Sequence, residues 1–426
     1  MISEQRERIA RYFDKIAAWA LYILIFALPF SKSIIEIGIV VALVAVMARK
    51  ALKRERLFAL NAVNIALLAF VLASLPSFIN TAYTALSLKA LFTKILKFAA
   101  LFLVAQEALN DRIKIKNFSV MALISCVVIV IDAFIQYFVT YVDILHGYPS
   151  FQFSTSFMVT YPGSIHPRIT TFLGAPTASF PFPNDFASWI LVMIFPVAIM
   201  AIAYKGKPLA RIFFALLSAC LMLFLILTKT RGAWLAFGVG LLIAPLFSIK
   251  FRSIKRPLAL FAVIILLASP FVLKKHMKGA VTSFGGIAER NTMWSNGWKI
   301  FKQHPVIGSG INTFFVNYMN IREDEYKGKK GSYAHNCYLQ IAADTGLLGL
   351  SAFLAFAAAL VWRARHLISK TEDALLRCMQ AGLALGMIAY LVHAFTDTNL
   401  FSLNLAALFW VSAGLLASMG RISEGA

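Results

Sequence analysis

A single imidazole, His335, stands in AHNCYLQIAADTGLLG at the point where a long polar segment, 274 to 334, gives way to an apolar one. Imidazole titrates nearest neutrality, so a histidine held at such an entrance can accept a proton from a reacting group; it can equally cap the start of a helix. The cations come next. The turn TKTRGAW carries Lys229 and Arg231 on what topology makes the outer side of a membrane, where short loops avoid positive charge. Either they meet lipid headgroups or cap a helix, or they are kept for an anionic substrate. Arg290 precedes an aromatic helical face, and Arg168 is the one Lys or Arg in its loop. Of the three lysines in SLKALFTKILKF, Lys89 can snorkel to the surface, whereas Lys94 and Lys97 need a polar interior or a re-entrant path.

These groups must be positioned by helices in lipid. The chain is 60% hydrophobic and 14% charged, with a mean hydropathy of +0.76, more apolar surface than a water-soluble core of ordinary size can hide. An all-α polytopic membrane protein follows. The net charge of +22 is distributed in short basic clusters between apolar runs, which is how topology is encoded, and implies no nucleic-acid partner. The four cysteines are too widely separated to suggest a disulfide framework or a metal cluster.

At about 20 apolar residues per span, helices are expected at 16–30, 34–48, 61–79, 86–108, 118–142, 185–204, 209–228, 232–249, 256–273, 337–362, 374–396 and 402–419, twelve in all. The first lacks a small-residue cleavage site and reads as uncleaved, behind a charged leader. Basic-rich segments, from the leader through Arg49–Arg56, Arg112–Lys116, Lys205–Arg211, Lys250–Arg256 and Arg363–Arg377 to Arg421, all fall on one side. That side is expected to be cytoplasmic, with both termini, leaving 143–184 and 274–334 facing the opposite compartment. Domain organisation is then residues 1–273 with nine helices and an aromatic loop at 143–184, a large helical loop at 274–334, and residues 335–426 with three helices.

The first outer loop is rich in Phe, Tyr, Pro and Ser and should lie along the headgroups; Asn184 or Asp185 suits the cap of the helix that follows. In the second, GIAERNTMWSNGWKIFKQHP reads as an amphipathic helix with Trp294, Trp298 and Phe301 on one face, packed on the bundle or dipped in lipid, and Pro305 ending it. The glycines of VIGSGINTFF mark a tight turn before a short helix, too weakly patterned for a phosphate loop. IREDEYKGKKG reads as a solvated tip.

Together, TRGAWLAF at a helix start, an R-x-x-x-W helix leading to HPVIGSGINTF, and HNCYLQIAADTGLLGL resemble the O-antigen ligase and polymerase superfamily of bacterial envelope enzymes. The resemblance covers most of the chain in topology and residues 160 to 350 in motifs. One departure is Asp344, where many relatives carry Glu. Twelve helices with one dominant loop between helices nine and ten look like the ligase branch, of glycosyltransferase-C-like architecture in the inner membrane; a polymerase is the alternative.

The resemblance implies a polysaccharide donor on undecaprenyl diphosphate and a sugar hydroxyl of lipid A-core as acceptor, both amphiphiles that reach a periplasmic site sideways from lipid. On that reading His335 is the general base, and Arg231 and Arg290 hold the departing diphosphate, a task suited to the guanidinium fork. Arg168, Lys89 and Asn336 are substrate-binding candidates. Asp397, in HAFTDTNLF with His393 a turn earlier, could orient His335, bind a sugar hydroxyl or cap a helix. No cofactor is implied, and the arginines are expected to replace a metal ion. Buried lysines, Asp132, His393 and twelve helices also suit a secondary transporter, although no repeat relates the halves and the charges gather at one face.

Overall fold

Hydrocarbon offers no partner to backbone N–H and C=O groups, so segments this apolar must bond within themselves as helices. The computed structural model describes residues 2–57, 59–140, 151–152, 174–203, 206–247, 287–321 and 333–424. Its helices are α1 (Ile2–Ala27), α2 (Lys32–Lys53), α3 (Ala62–Ser74), α4 (Thr84–Ala90), α5 (Lys97–Ala108), α6 (Arg112–Ile135), α7 (Pro183–Ala203), α8 (Pro208–Leu227), α9 (Arg231–Phe247), α10 (Ile287–Gln303), α11 (Phe314–Ile321), α12 (Cys337–Lys370), α13 (Ala374–His393) and α14 (Leu403–Glu424). A 3-10 turn extends α3 to Ile79, and π-helical turns follow α4 and α6. Phe151–Gln152 and Gly174–Ala175 form a two-residue antiparallel ladder. The chain is a multi-pass membrane protein: among the described residues seven helical segments are long and apolar enough to span a bilayer, while α9, with 17 residues, is shorter. All the expected spans fall on helices except 256–273, which lies outside the described residues, as does the tip at 322–332.

Side chains sort by what surrounds each helix. Every residue from Asn404 to Gly420 of α14 is buried, making it the central helix. In α8 only the stripe Leu217, Leu221, Phe224 and Leu225 is buried, while Leu209, Leu216 and Ile226 point outward, apolar and exposed. Apolar residues on both faces of a helix mark one side packed on protein and the other on lipid. Close packing is made by small residues: Gly386 of α13 sits where a Cβ would press on the Val192 carbonyl of α7.

Two expectations need correction at the basic end. The charged leader is part of α1, and α2 continues past its expected end to Lys53, so Arg49 and Lys50 are each only 4% exposed rather than in a loop. Arg49 reaches Asp14 at 2.8 Å and Glu107 at 3.3 Å, Lys50 reaches Glu107 at 2.7 Å, and Lys114 also engages Asp14. Burying charge costs free energy unless it is paired, so this cluster ties α1, α2, α5 and α6 together. Glu107→Gln should therefore destabilise the protein by about 3–5 kcal/mol, read as a lower unfolding midpoint in detergent. An unchanged midpoint would show that the pairs contribute nothing.

The lysines of the 84–108 region also find partners. Lys97 pairs with Glu36 at 2.7 Å, and Lys94, on the π turn, donates to the Phe401 carbonyl at 2.8 Å. Asp132 accepts from Ser179 at 2.8 Å, and Gln136 Oε1 accepts from the backbone of both Thr177 and Ala178 at 2.9 Å. These bonds pin the end of the first outer loop to α6. The cap expected for α7 is also different: the helix begins at Pro183, with Asp185 and Phe186 donating to the Phe182 carbonyl. Asn184 accepts instead from Thr230 at 3.1 Å, linking α7 to the start of α9.

Candidate functional site

The first turn of α12 is fastened to the last turn of α13. Asn336 is extended and caps α12, its Oδ1 accepting from the backbone of Tyr338 and Leu339 at 3.0 Å. Cys337 N–H donates to the Ala394 carbonyl at 2.8 Å, its thiol approaches the Asp397 carbonyl at 3.2 Å, and Tyr338 Oη donates to the Leu391 carbonyl at 2.7 Å. The residue ahead of the cap, His335, has φ +48, a left-handed conformation uncommon outside glycine and concentrated at functional sites.

This docking brings His335 Nδ1 to 3.9 Å from Asp397 Oδ1, within ion-pair reach though longer than a direct hydrogen bond. The imidazole is 31% exposed, whereas the carboxylate is 6% exposed. Burial pushes the Asp397 carboxyl up, but the His335 and His393 imidazoles and the N–H of Thr398, 2.8 Å away, together hold it below the usual carboxylate range. One accessible imidazole therefore faces a buried, ionised partner, an arrangement in which the carboxylate can fix the orientation of the ring.

Behind them His393, 1% exposed, places Nδ1 at 2.9 Å from Ser188 Oγ of α7. The sequence reading gave Ser188 no role, and nothing distinguishes it there from a small residue on an apolar face. In the sequence His393 stands a turn ahead of Asp397 and as one of the ionisable residues that also suit a transporter.

The RGAW motif resolves into separate tasks. Thr230 starts α9 by accepting from Ala233 and Trp234 N–H at 3.0 and 3.2 Å, and Trp234 Nε1 donates to the Leu225 carbonyl at 2.8 Å. Gly232 lies so near the α13 end that a Cβ would overlap Thr396 Oγ1 and crowd His393. Arg231 is thus the immediate neighbour of a residue touching the 393–396 turn. Burial lowers the pKa of Lys229, beside it. Arg290, in the first turn of α10, is within electrostatic reach of His393.

The loop carrying α10 and α11 is held over this end by a reciprocal lock. Helix α12 breaks at Gly346, φ +69. A break inside a helix frees backbone groups that need new partners. Ser309 and Gly310 N–H donate to the Ala343 and Asp344 carbonyls at 3.0 and 2.9 Å, while Leu347 and Leu348 N–H donate to Pro305 and Val306 at 2.8 and 3.1 Å. The Asp344 carboxylate accepts from Asn312 and Phe314 N–H at 3.0 and 2.9 Å, anchoring the start of α11. HPVIGSGINTF and ADTGLLG are two halves of one joint. On α10, Met293, Asn296, Ile300 and Phe301 face inward, while Trp298 is 51% exposed, so the expected aromatic face is divided between the bundle and the surroundings.

His335, Asn336, Asp397, Arg231 and Arg290 thus belong to helix ends meeting at one end of the bundle. Lys89, on α4, is exposed, and among the described residues no hydrogen bond or ion pair joins it to His335 or Asp397. Arg168 lies outside the described residues.

Fold and site define a multi-pass helical membrane protein with an imidazole–carboxylate pair at one end of its bundle, among helix ends that carry Arg231 and Arg290. Residues 213–354 match the O-antigen ligase family, in keeping with the motif resemblance. The match includes Arg231, Arg290, His335 and Asp344 but ends before His393 and Asp397. The chain is also 26% identical over 192 residues to the ComP-specific O-oligosaccharyltransferase of Acinetobacter baylyi, an alignment covering 42% of this chain and 33% of that protein.

Proposed function

We propose that the protein is a membrane glycosyltransferase that moves a glycan from undecaprenyl diphosphate to a sugar hydroxyl of lipid A-core, the O-antigen ligase reaction, at the periplasmic face of the bacterial inner membrane. The observation that carries this reading is the His335–Asp397 pair at a helix mouth, with Gly232, next to Arg231, packed on the 393–396 turn and Arg290 within electrostatic reach of His393. With Asp397 facing Nδ1, that nitrogen keeps its proton and Nε2 accepts one from the acceptor hydroxyl. As the proton leaves, the oxygen attacks the anomeric carbon, the bond from that carbon to the phosphate oxygen breaks, and its electron pair departs on the diphosphate. Inversion results. Arg231 and Arg290 offset the charge developing on the leaving group, a contribution comparable to that of the base. Asn336 and Lys89 remain substrate-binding candidates, as does Arg168.

Two other acceptors fit the same chemistry. A protein hydroxyl is suggested by the Acinetobacter relative, named for oligosaccharyl transfer to ComP; a hydroxyl on a second lipid-linked chain would make the enzyme a polymerase. Secondary transport is disfavoured because Lys94, Lys97 and Asp132 each have a partner and His393 stands at the helix end beside Asp397.

The deciding experiment incubates purified protein with glycan on undecaprenyl diphosphate and, separately, lipid A-core, a serine-containing peptide or no second acceptor. Product only on lipid A-core supports the ligase; product on the peptide or elongated donor identifies one of the alternatives. With the arginines taking the place of a cation, transfer should persist in EDTA, and loss restored by magnesium or manganese would refute the metal-independent mechanism.

A further inference from the structure

Toward the basic end, α6, α7, α13 and α14 leave between them an apolar cavity of about 310 Å³. Its mouth is marked by Lys116 of α6, Met200 of α7 and Leu375 of α13, and its floor by Cys126, Met193 and Leu383 of the same three helices. Lys116 to Cys126 is ten residues, about 15 Å at 1.5 Å per residue. That is about half of a 30 Å hydrocarbon layer. The cavity is therefore one leaflet deep.

The lining excludes polar occupants. Its polar side chains are Lys116, Ser119 and Ser412, and Ser119 already donates to the Ile115 carbonyl at 2.8 Å. Val120, at the edge, is 44% exposed, so the cavity opens sideways. Arg112 is engaged by Asp373 at 2.7 Å, while exposed Lys116 makes no ion pair among the described residues. An apolar slot one leaflet deep with a cation at its mouth matches one acyl chain under an anionic headgroup.

We propose that this cavity is a binding site for an anionic diacyl phospholipid of the leaflet at the basic end, with one acyl chain between α6, α7 and α13 and its headgroup at Lys116. It is distinct from the His335 site, at the opposite ends of α7 and α13. The same two helices carry Ser188 and His393, so the acyl chain fills a gap between the elements that hold that pair together. The proposal does not depend on the transfer reaction.

Native mass spectrometry of the full-length protein released from nanodiscs of phosphatidylglycerol and phosphatidylcholine tests it. One tightly held phosphatidylglycerol per chain is expected. Ala122→Trp, filling the slot, should remove it while the protein stays monodisperse. Lys116→Glu, on the surface, should lower the preference for phosphatidylglycerol over phosphatidylcholine at least about fivefold. A phosphatidylglycerol carrying a photoreactive acyl chain should label peptides of α6, α7 and α13. No retained lipid, equal retention in Lys116→Glu, or labelling confined to the outward face of α8 would each overturn the site.

Discussion

His335→Gln should lower glycan transfer by about 10²–10⁴-fold while leaving the protein inserted and as heat-stable as the wild type. Glutamine fills similar space and can still donate a hydrogen bond, but it cannot take up the hydroxyl proton. The side chain is partly exposed ahead of the α12 cap rather than in the core, so its removal leaves the fold intact. The pH profile adds a second reading. Asp397 is held below the ordinary carboxylate range, so it stays ionised as the solution is acidified through the range in which imidazoles protonate. The acidic limb of activity should then follow protonation of the base and disappear in the residual activity of His335→Gln. Asp397→Asn should retain donor binding while reducing turnover, because it keeps the shape and removes the carboxylate charge that faces the His335 ring. Near-normal transfer by His335→Gln would remove this residue as the base.

Gly346→Ala should be the most damaging single-methyl change to the fold, and Gly308→Ala should resemble it. Both positions have positive φ, +69 and +77, which costs an L-residue about 1–2 kcal/mol. Both also press on backbone: a Cβ at Gly346 would overlap the Val306 carbonyl, and one at Gly308 the backbone at Asp344 and Thr345. Opening the joint strands the four backbone bonds between 305–310 and 343–348, each worth about 1 kcal/mol net and more where water is excluded. A loss above about 4 kcal/mol is expected, seen as poor accumulation in membranes and a lower unfolding midpoint. Since the joint holds α10 over His393, surviving protein should also show weaker donor binding through Arg290. A wild-type midpoint for both variants would mean that the joint is dispensable.

The sequence by itself determined the class of this protein and the position of nearly every described helix. Apolar runs of bilayer length admit one backbone solution in lipid, and that constraint is local. It also marked His335, Arg231 and Arg290, since an imidazole at a helix entrance and cations against the topological rule are visible without coordinates. Residues whose role depends on what lies across from them were not legible. Arg49 and Lys50 read as loop charges until Glu107 and Asp14, far away in the chain, were found against them. Asp344 stood out only as a departure from the Glu of many relatives, and its part, accepting from two backbone N–H groups at the start of α11, appears only in the fold. Ser188 carried no signal at all, because its meaning is a bond to His393 two hundred residues on. Only the tertiary structure, by docking the first turn of α12 on the last turn of α13, decided that Asp397 faces His335. Periodicity follows from each helix's own surroundings, whereas a site is a set of distances between helices, and these depend on where small residues let backbones meet and where buried polar groups find partners.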